Sequence, residues 1–179
     1  MKKLTHDEIS ADRAKLESIA TVKKLPIVVL LNNIRSSYNV GSIFRTSDGA
    51  MIEKLYLCGY TSAPPRKEVM KTALGSTVSV AWECCEDAET VIKKYKELGY
   101  KILALELTVD SKSHYAMTND VFPALLIVGN EINGVNQELL DLCDDALEIP
   151  QYGIKQSLNV AVAYGISVFE LRRVFDLGV

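Results

Sequence analysis

Five side chains in three short stretches carry most of the chemistry this sequence offers. "NVGSIFRTSDGA" (39–50) holds Asn39 and Arg45, "LLIVGNEINGV" (125–135) holds Glu131, and "IPQYGIKQSLNV" (149–160) holds Ser157 and Asn159. Amides and hydroxyls can orient a sugar, and a guanidinium can grip a phosphate through two parallel hydrogen bonds. No histidine lies in the three stretches, so imidazole base catalysis is not on offer there. Arginine stays protonated in proteins, which favours Arg45 as an electrostatic clamp over a literal base.

Each stretch follows a short apolar run, and in open parallel sheets ligands bind beyond the carboxyl ends of the strands. A helical side chain leans over the preceding turn, so Arg45 is expected above Gly41, with room there for a phosphate. The plainer reading pairs Arg45 with Asp48 at the surface. Ser157 reads as a helix N-cap. Asn159 then has no capping reason to be there and falls inside a helix it does not favour. Glu131 can form a salt bridge, anchor Arg45 or support the loop. Gly129, Gly134 and Gly153 fit close backbone approach or plain turns.

The elements that must position these groups alternate. Apolar runs at 26–31, 54–58, 101–107, 124–128 and 146–149 read as strands. Val40, Ile43, Phe44 and Ser47 share one helical face. Ala88, Val91, Ile92, Tyr95 and Leu98 share another, on a helix that ends at Gly99. The last helix, from about Ser157 to Arg173, is apolar nearly all round as far as Phe169, which predicts burial on more than one side. "THDE" (5–8) is a capping box, predicting a helix from there to about Ala20. The alternation predicts one α/β domain, mainly parallel, with helices on both faces of the sheet.

Several classes are excluded. No Gly-x-Gly-x-x-Gly follows the first strand, and no Walker sequence or serine elbow exists. Four cysteines without a Cys-x-x-Cys pair, and two histidines, argue against a metal site or a disulfide framework. The polar N-terminus and the short apolar runs predict a cytoplasmic protein with no membrane span. A net charge of −3 argues against non-specific coating of nucleic acid but leaves room for a small basic footprint.

In order and spacing the three stretches, the last extended to Arg173, resemble the motifs of SpoU-type (TrmH-like) RNA ribose 2′-O-methyltransferases of the SPOUT superfamily. The likeness runs from about Pro26 to the C-terminus. It implies S-adenosylmethionine as methyl donor, a C-terminal trefoil knot and a homodimer with shared active sites. It marks Asn39, Arg45, Glu131, Ser157 and Asn159 as catalytic-site residues. Gly129, Ile149 and Leu158 match positions that line the cofactor, with a further contact expected near Leu105, Glu106 or Thr108. Gln151 and Ala161 depart from the residues common in the family, at positions peripheral to this chemistry. Arg35, Arg45, Arg66 and Lys67 are the expected RNA footprint, on tRNA ahead of rRNA. Residues 1–24 are expected to form a helical extension and 25–179 the methyltransferase domain. The rival class is a silent RNA-binding factor on the same fold, which has no need to keep Arg45, Ser157 and Asn159 together.

Overall fold

The computed structural model describes residues 1–11 and 13–179. Seven strands form one sheet: β1 Leu25–Asn32, β2 Ile52–Cys58, β3 Trp82–Cys85, β4 Lys101–Leu105, β5 Lys112–Ser113, β6 Ala124–Val128 and β7 Asp145–Glu148. Their order is β3-β2-β1-β6-β4-β7-β5, and every pairing is parallel. Among the helices are α1 His6–Ala11, α2 Ser37–Ala50, α3 Lys67–Ala73, α4 Ser76–Ser79, α5 Ala88–Glu97, α6 Gln137–Leu140 and α7 Val160–Leu177.

The central strand β1 alternates between two cores, as a strand with period-two side chains must. Ile27, Val29 and Leu31 pack with Ile43 and Phe44 of α2, Val69 of α3 and Val168 of α7. Val28 and Leu30 pack on the other face with Val91 and Ile92 of α5 and Leu139 of α6. Helices therefore cover both faces, as the alternation of elements predicts. Inside the first core the Ser47 and Tyr164 hydroxyls bond each other at 2.7 Å, fixing α7 on α2.

Three details depart from the sequence reading. The capping box forms, with Thr5 N donating to Glu8 and Glu8 N to Thr5. The helix nevertheless spans only His6–Ala11, and a 3₁₀ segment, Leu16–Thr21, follows an extended Lys15. No residue of α1 is buried, and a short helix without a packed face gains little to lengthen it. Leu98 does not share the buried face of α5: the helix ends at Glu97 and Leu98 is 60% exposed. Finally, α7 begins at Val160, not at Ser157, because its cap is Asn159. No helix among the described residues is long and apolar enough to cross a membrane.

Candidate active site

The carboxyl end of β1 is clasped before it does anything else. The buried Thr61 hydroxyl donates to Leu31 O and accepts from Ile34 N at 3.0 Å each. Asn33 takes a left-handed φ of 58° and accepts the Tyr60 N–H on its side-chain oxygen. Asn130, 9% exposed, donates to Asn33 O at 2.8 Å and to the Tyr60 hydroxyl at 2.7 Å, while its oxygen accepts from Ile132 N and Asn133 N. The residue between the strand β6 and Glu131 is thus the bracket that holds two strand ends together. Its signal in the sequence was only an Asn inside a Gly-rich strand end.

Glu131 stands where this bracket puts it. Its carboxylate accepts Arg35 N at 2.8 Å, Ser36 N at 3.0 Å and the Asn39 amide at 3.0 Å. Burial raises its pKa, but the hydrogen bonds from Arg35, Ser36 and Asn39 outweigh burial and hold the carboxyl below its ordinary value. Glu131 makes no ion pair with Arg45 among the described residues; its partners are main-chain N–H groups and Asn39. Asn39 in turn accepts the Asn159 amide at 3.1 Å, and Asn159 Oδ1 accepts Ala161 N and Val162 N at the start of α7. One hydrogen-bonded chain, Glu131–Asn39–Asn159, therefore ties together all three stretches. This corrects the capping assignment: Asn159 caps α7, and Ser157 is left exposed at the cavity with its hydroxyl uncommitted to a cap.

Beside this chain a cavity of about 200 Å³ opens at the ends of β4, β6 and β7. Leu105, Glu106, Gly129, Ile149 and Leu158, the positions matched to the cofactor, all line it, and so do Glu131, Glu148, Gln156 and Ser157. Thr108 does not: its N–H and carbonyl are taken by the Ser111 hydroxyl in a turn beyond the cavity wall. Glu106 accepts Leu107 N and Val135 N, and Glu148 accepts the Ser111 hydroxyl. Among the described residues three carboxylates and no lysine or arginine line the cavity. Apolar strand ends (Leu105, Val128, Leu147) complete it. Such walls suit a ligand with an apolar ring and a positive centre.

Gly129 serves this cavity indirectly. A Cβ there would lie 2.2 Å from Gly134 C and 2.4 Å from Val135 N, so the missing side chain makes room for protein backbone. Gly41 departs from expectation in the same way. Its Cβ would lie 2.1 Å from Thr72 Oγ1 and 2.2 Å from Val69 O, so the glycine seats α3 against α2 and leaves no gap for a phosphate.

Arg45 is exposed and does not line the cavity. It faces a separate groove with Ser42, Thr46, Lys71 and Phe169. It does not pair with Asp48, which accepts the Ser79 hydroxyl. Arg35 and Lys67 are exposed, while Arg66 pairs with Glu68 at 3.3 Å. Of the expected residues, then, the structure joins Asn39, Glu131 and Asn159 directly, places Ser157 and the cofactor positions around one cavity, and sets Arg45 apart. No three His, Cys, Asp or Glu side chains converge as metal ligands among the described residues.

Comparison with known proteins gives the family and the fold. Residues 26–169 match the model of the SpoU rRNA Methylase family. The chain is 30% identical over 162 residues, 89% of this chain and 74% of the relative, to the tRNA (guanosine(18)-2′-O)-methyltransferase of Aquifex aeolicus. The crystal structure of the A. aeolicus TrmH/SpoU tRNA modifying enzyme superposes with a TM-score of 0.81 at 28% identity, covering 90% of this chain and 81% of that one. The AdoMet-bound rRNA methyltransferase from Sinorhizobium meliloti gives 0.77 at 30% identity, covering 84% and 60%.

Proposed function

Since the chain belongs to the SpoU rRNA methylase family, we propose that it methylates a ribose 2′-hydroxyl of structured RNA with S-adenosylmethionine, on tRNA ahead of rRNA. The observation that carries this reading is the joining of a carboxylate-lined cavity to the Glu131–Asn39–Asn159 chain at one end of the sheet. The preference for tRNA rests on the A. aeolicus relative, whose name gives tRNA as its substrate and which this chain covers over most of its length.

The residues present fit the cofactor. A sulfonium suits a cavity with three carboxylates, and an adenine ring suits the apolar ends of β4, β6 and β7. Leu105, Glu106, Gly129, Ile149 and Leu158 would hold it. When bound there, S-adenosylmethionine supplies an electrophilic methyl group.

The chain's own groups do the rest. A ribose hydroxyl is a poor nucleophile and must be held in line and given help with its developing charge. Asn39 and Asn159 orient the ribose, with Glu131 fixing which face of Asn39 points outward. Ser157, free of capping duty, offers a further hydrogen bond at the cavity mouth. Arg45 clamps the neighbouring phosphate and stabilises the forming oxyanion, while that phosphate or a water takes the proton.

Arg45 lines a groove apart from the cavity of its own chain, so the reading includes a homodimer in which it serves the partner. Val162, Ile166 and Phe169 support this: they are 51%, 39% and 50% exposed and follow one another at helical spacing along α7. Phe169 also reaches the Arg45 groove. The test is incubation of purified protein with methyl-labelled S-adenosylmethionine and bulk tRNA or rRNA, followed by mapping of the modified nucleotide. Methylation on a base, or none on either RNA, would reject the reading.

A further inference from the structure

The RNA reading leaves unexplained why α3 is pressed so closely on α2, and the answer lies in what the pair encloses. Gly41 brings the two helices together, and the Thr72 hydroxyl locks them by donating to Tyr38 O at 2.9 Å. Lys71, the neighbour of Thr72, is carried to the same groove as Arg45. Both cations are exposed, and neither makes an ion pair among the described residues. The acids nearest in sequence have other partners: Asp48 accepts the Ser79 hydroxyl and Glu68 pairs with Arg66. No carboxylate lines the groove among the described residues. Its charge is the reverse of that of the cofactor cavity.

We propose that this groove is a binding site for an RNA backbone phosphate and that Lys71 positions RNA there beside Arg45. The inference rests on the RNA reading above. Two unpaired cations in a concave site without acids focus a positive potential on whatever anion enters. A phosphodiester is the fitting anion because Arg45, which the reading above sets on the phosphate beside the target ribose, lines the same groove as Lys71. Tyr38 stands beside Lys71. It is half-exposed, immediately precedes Asn39, and has the Lys71 ammonium 5.9 Å from its ring centroid. An exposed ring beside a lysine can stack a nucleobase while the ammonium meets the phosphate.

The test compares wild type with Lys71→Ala, Lys71→Arg and Lys71→Glu, using bulk tRNA and S-adenosylmethionine as separate probes. Lys71→Ala should weaken tRNA binding on the order of fivefold to tenfold at low salt and flatten the log–log salt slope by about 0.9, one phosphate contact. Lys71→Arg should restore both, and Lys71→Glu should lose more. The KM for tRNA should rise with kcat at saturating RNA nearly unchanged. Cofactor binding by calorimetry should not move. An unchanged tRNA affinity and salt slope in Lys71→Ala would overturn the proposal. So would loss of tRNA binding that light scattering traces to dissociated subunits, because Lys71 would then belong to subunit pairing. If wild type binds neither S-adenosylmethionine nor RNA, the functional reading itself fails; if it binds both and the Lys71 variants match it, only the groove does.

Discussion

The Asn159 amide donates to the Asn39 side-chain oxygen at 3.1 Å, across 120 residues of sequence, while its own oxygen caps α7. One side chain thus does two separable things. Asn159→Asp keeps the acceptor that caps the helix but turns the donor toward Asn39 into a second acceptor. It should melt above Asn159→Ala, because the cap survives, and lose most methyl transfer. Asn159→Ala removes the cap as well, at a cost of about 1 kcal/mol in stability. Thermal melts alongside a transfer assay check both. Equal stability loss in the two variants would mean the cap is not the Asn159 oxygen.

Glu131 should show its role in acid. Its folded pKa is depressed, so its contribution to stability is present above the ordinary glutamate value near 4.5 and is lost as pH falls through the folded value. Glu131→Gln replaces one acceptor oxygen by an N–H₂ facing N–H donors. The variant should be destabilised by about 1–3 kcal/mol at neutral pH, the cost of leaving such a donor unmet. It should also lose this part of the acid dependence. Denaturant unfolding between pH 3 and about 7 reads both.

Gly129→Ala should weaken cofactor binding by disturbing the protein and not by crowding the ligand. The added Cβ would meet Gly134 and Val135 backbone, whose N–H is held by Glu106 at 2.9 Å. Backbone cannot rotate aside, so the melting temperature should fall together with affinity. Gly153→Ala is the control: nothing lies within 4 Å of a Cβ there. That variant should keep its stability. A Gly129→Ala protein that melts like wild type but fails to bind S-adenosylmethionine would mean that the added methyl crowds the ligand instead.

What could be read from the sequence was local. Long apolar runs gave β1, β2, β4 and β6, and the spacing of Val40, Ile43, Phe44 and Ser47 gave the buried face of α2. The edge strands β3 and β5 escaped. The first, "WECC", is exposed or half-buried throughout, and the second is two residues long, so neither leaves an apolar run. Ser157 and Asn159 are both capping types; which one caps depends on the path of the chain from β7 past the cavity, a long-range property. Gly41 looked like space for a ligand because its true neighbours, Val69 and Thr72, come about thirty residues later. Lys71 carried no local signal for the same reason. Nothing in local pattern separates Arg45 from the cavity either, since distance between sites is set by the packing of whole helices.

That separation leads to the sharpest test of the proposed dimer. If Arg45 of one subunit serves the Asn39–Asn159 pair of the other, Arg45→Ala and Asn159→Asp homodimers should both be inactive, each lacking one half of every site. A mixed dimer differs. One of its two sites combines both defects, and the other combines the intact Arg45 of the Asn159→Asp subunit with the intact Asn159 of the Arg45→Ala subunit. Random reassortment of equal amounts makes half the dimers mixed, each with one working site. About a quarter of wild-type activity should therefore return, an outcome particular to shared isologous sites. Co-refolding or co-expression with two affinity tags isolates the mixed species. If Arg45 acted within its own chain, every site in the mixed dimer would still carry one defect and no activity would return. A protein that stays monomeric by light scattering at micromolar concentration would remove the premise. Ile166→Asp supplies the complementary control: a charge in the exposed stripe of α7 should yield monomers that are inactive in transfer even though Arg45 and Asn159 are both present.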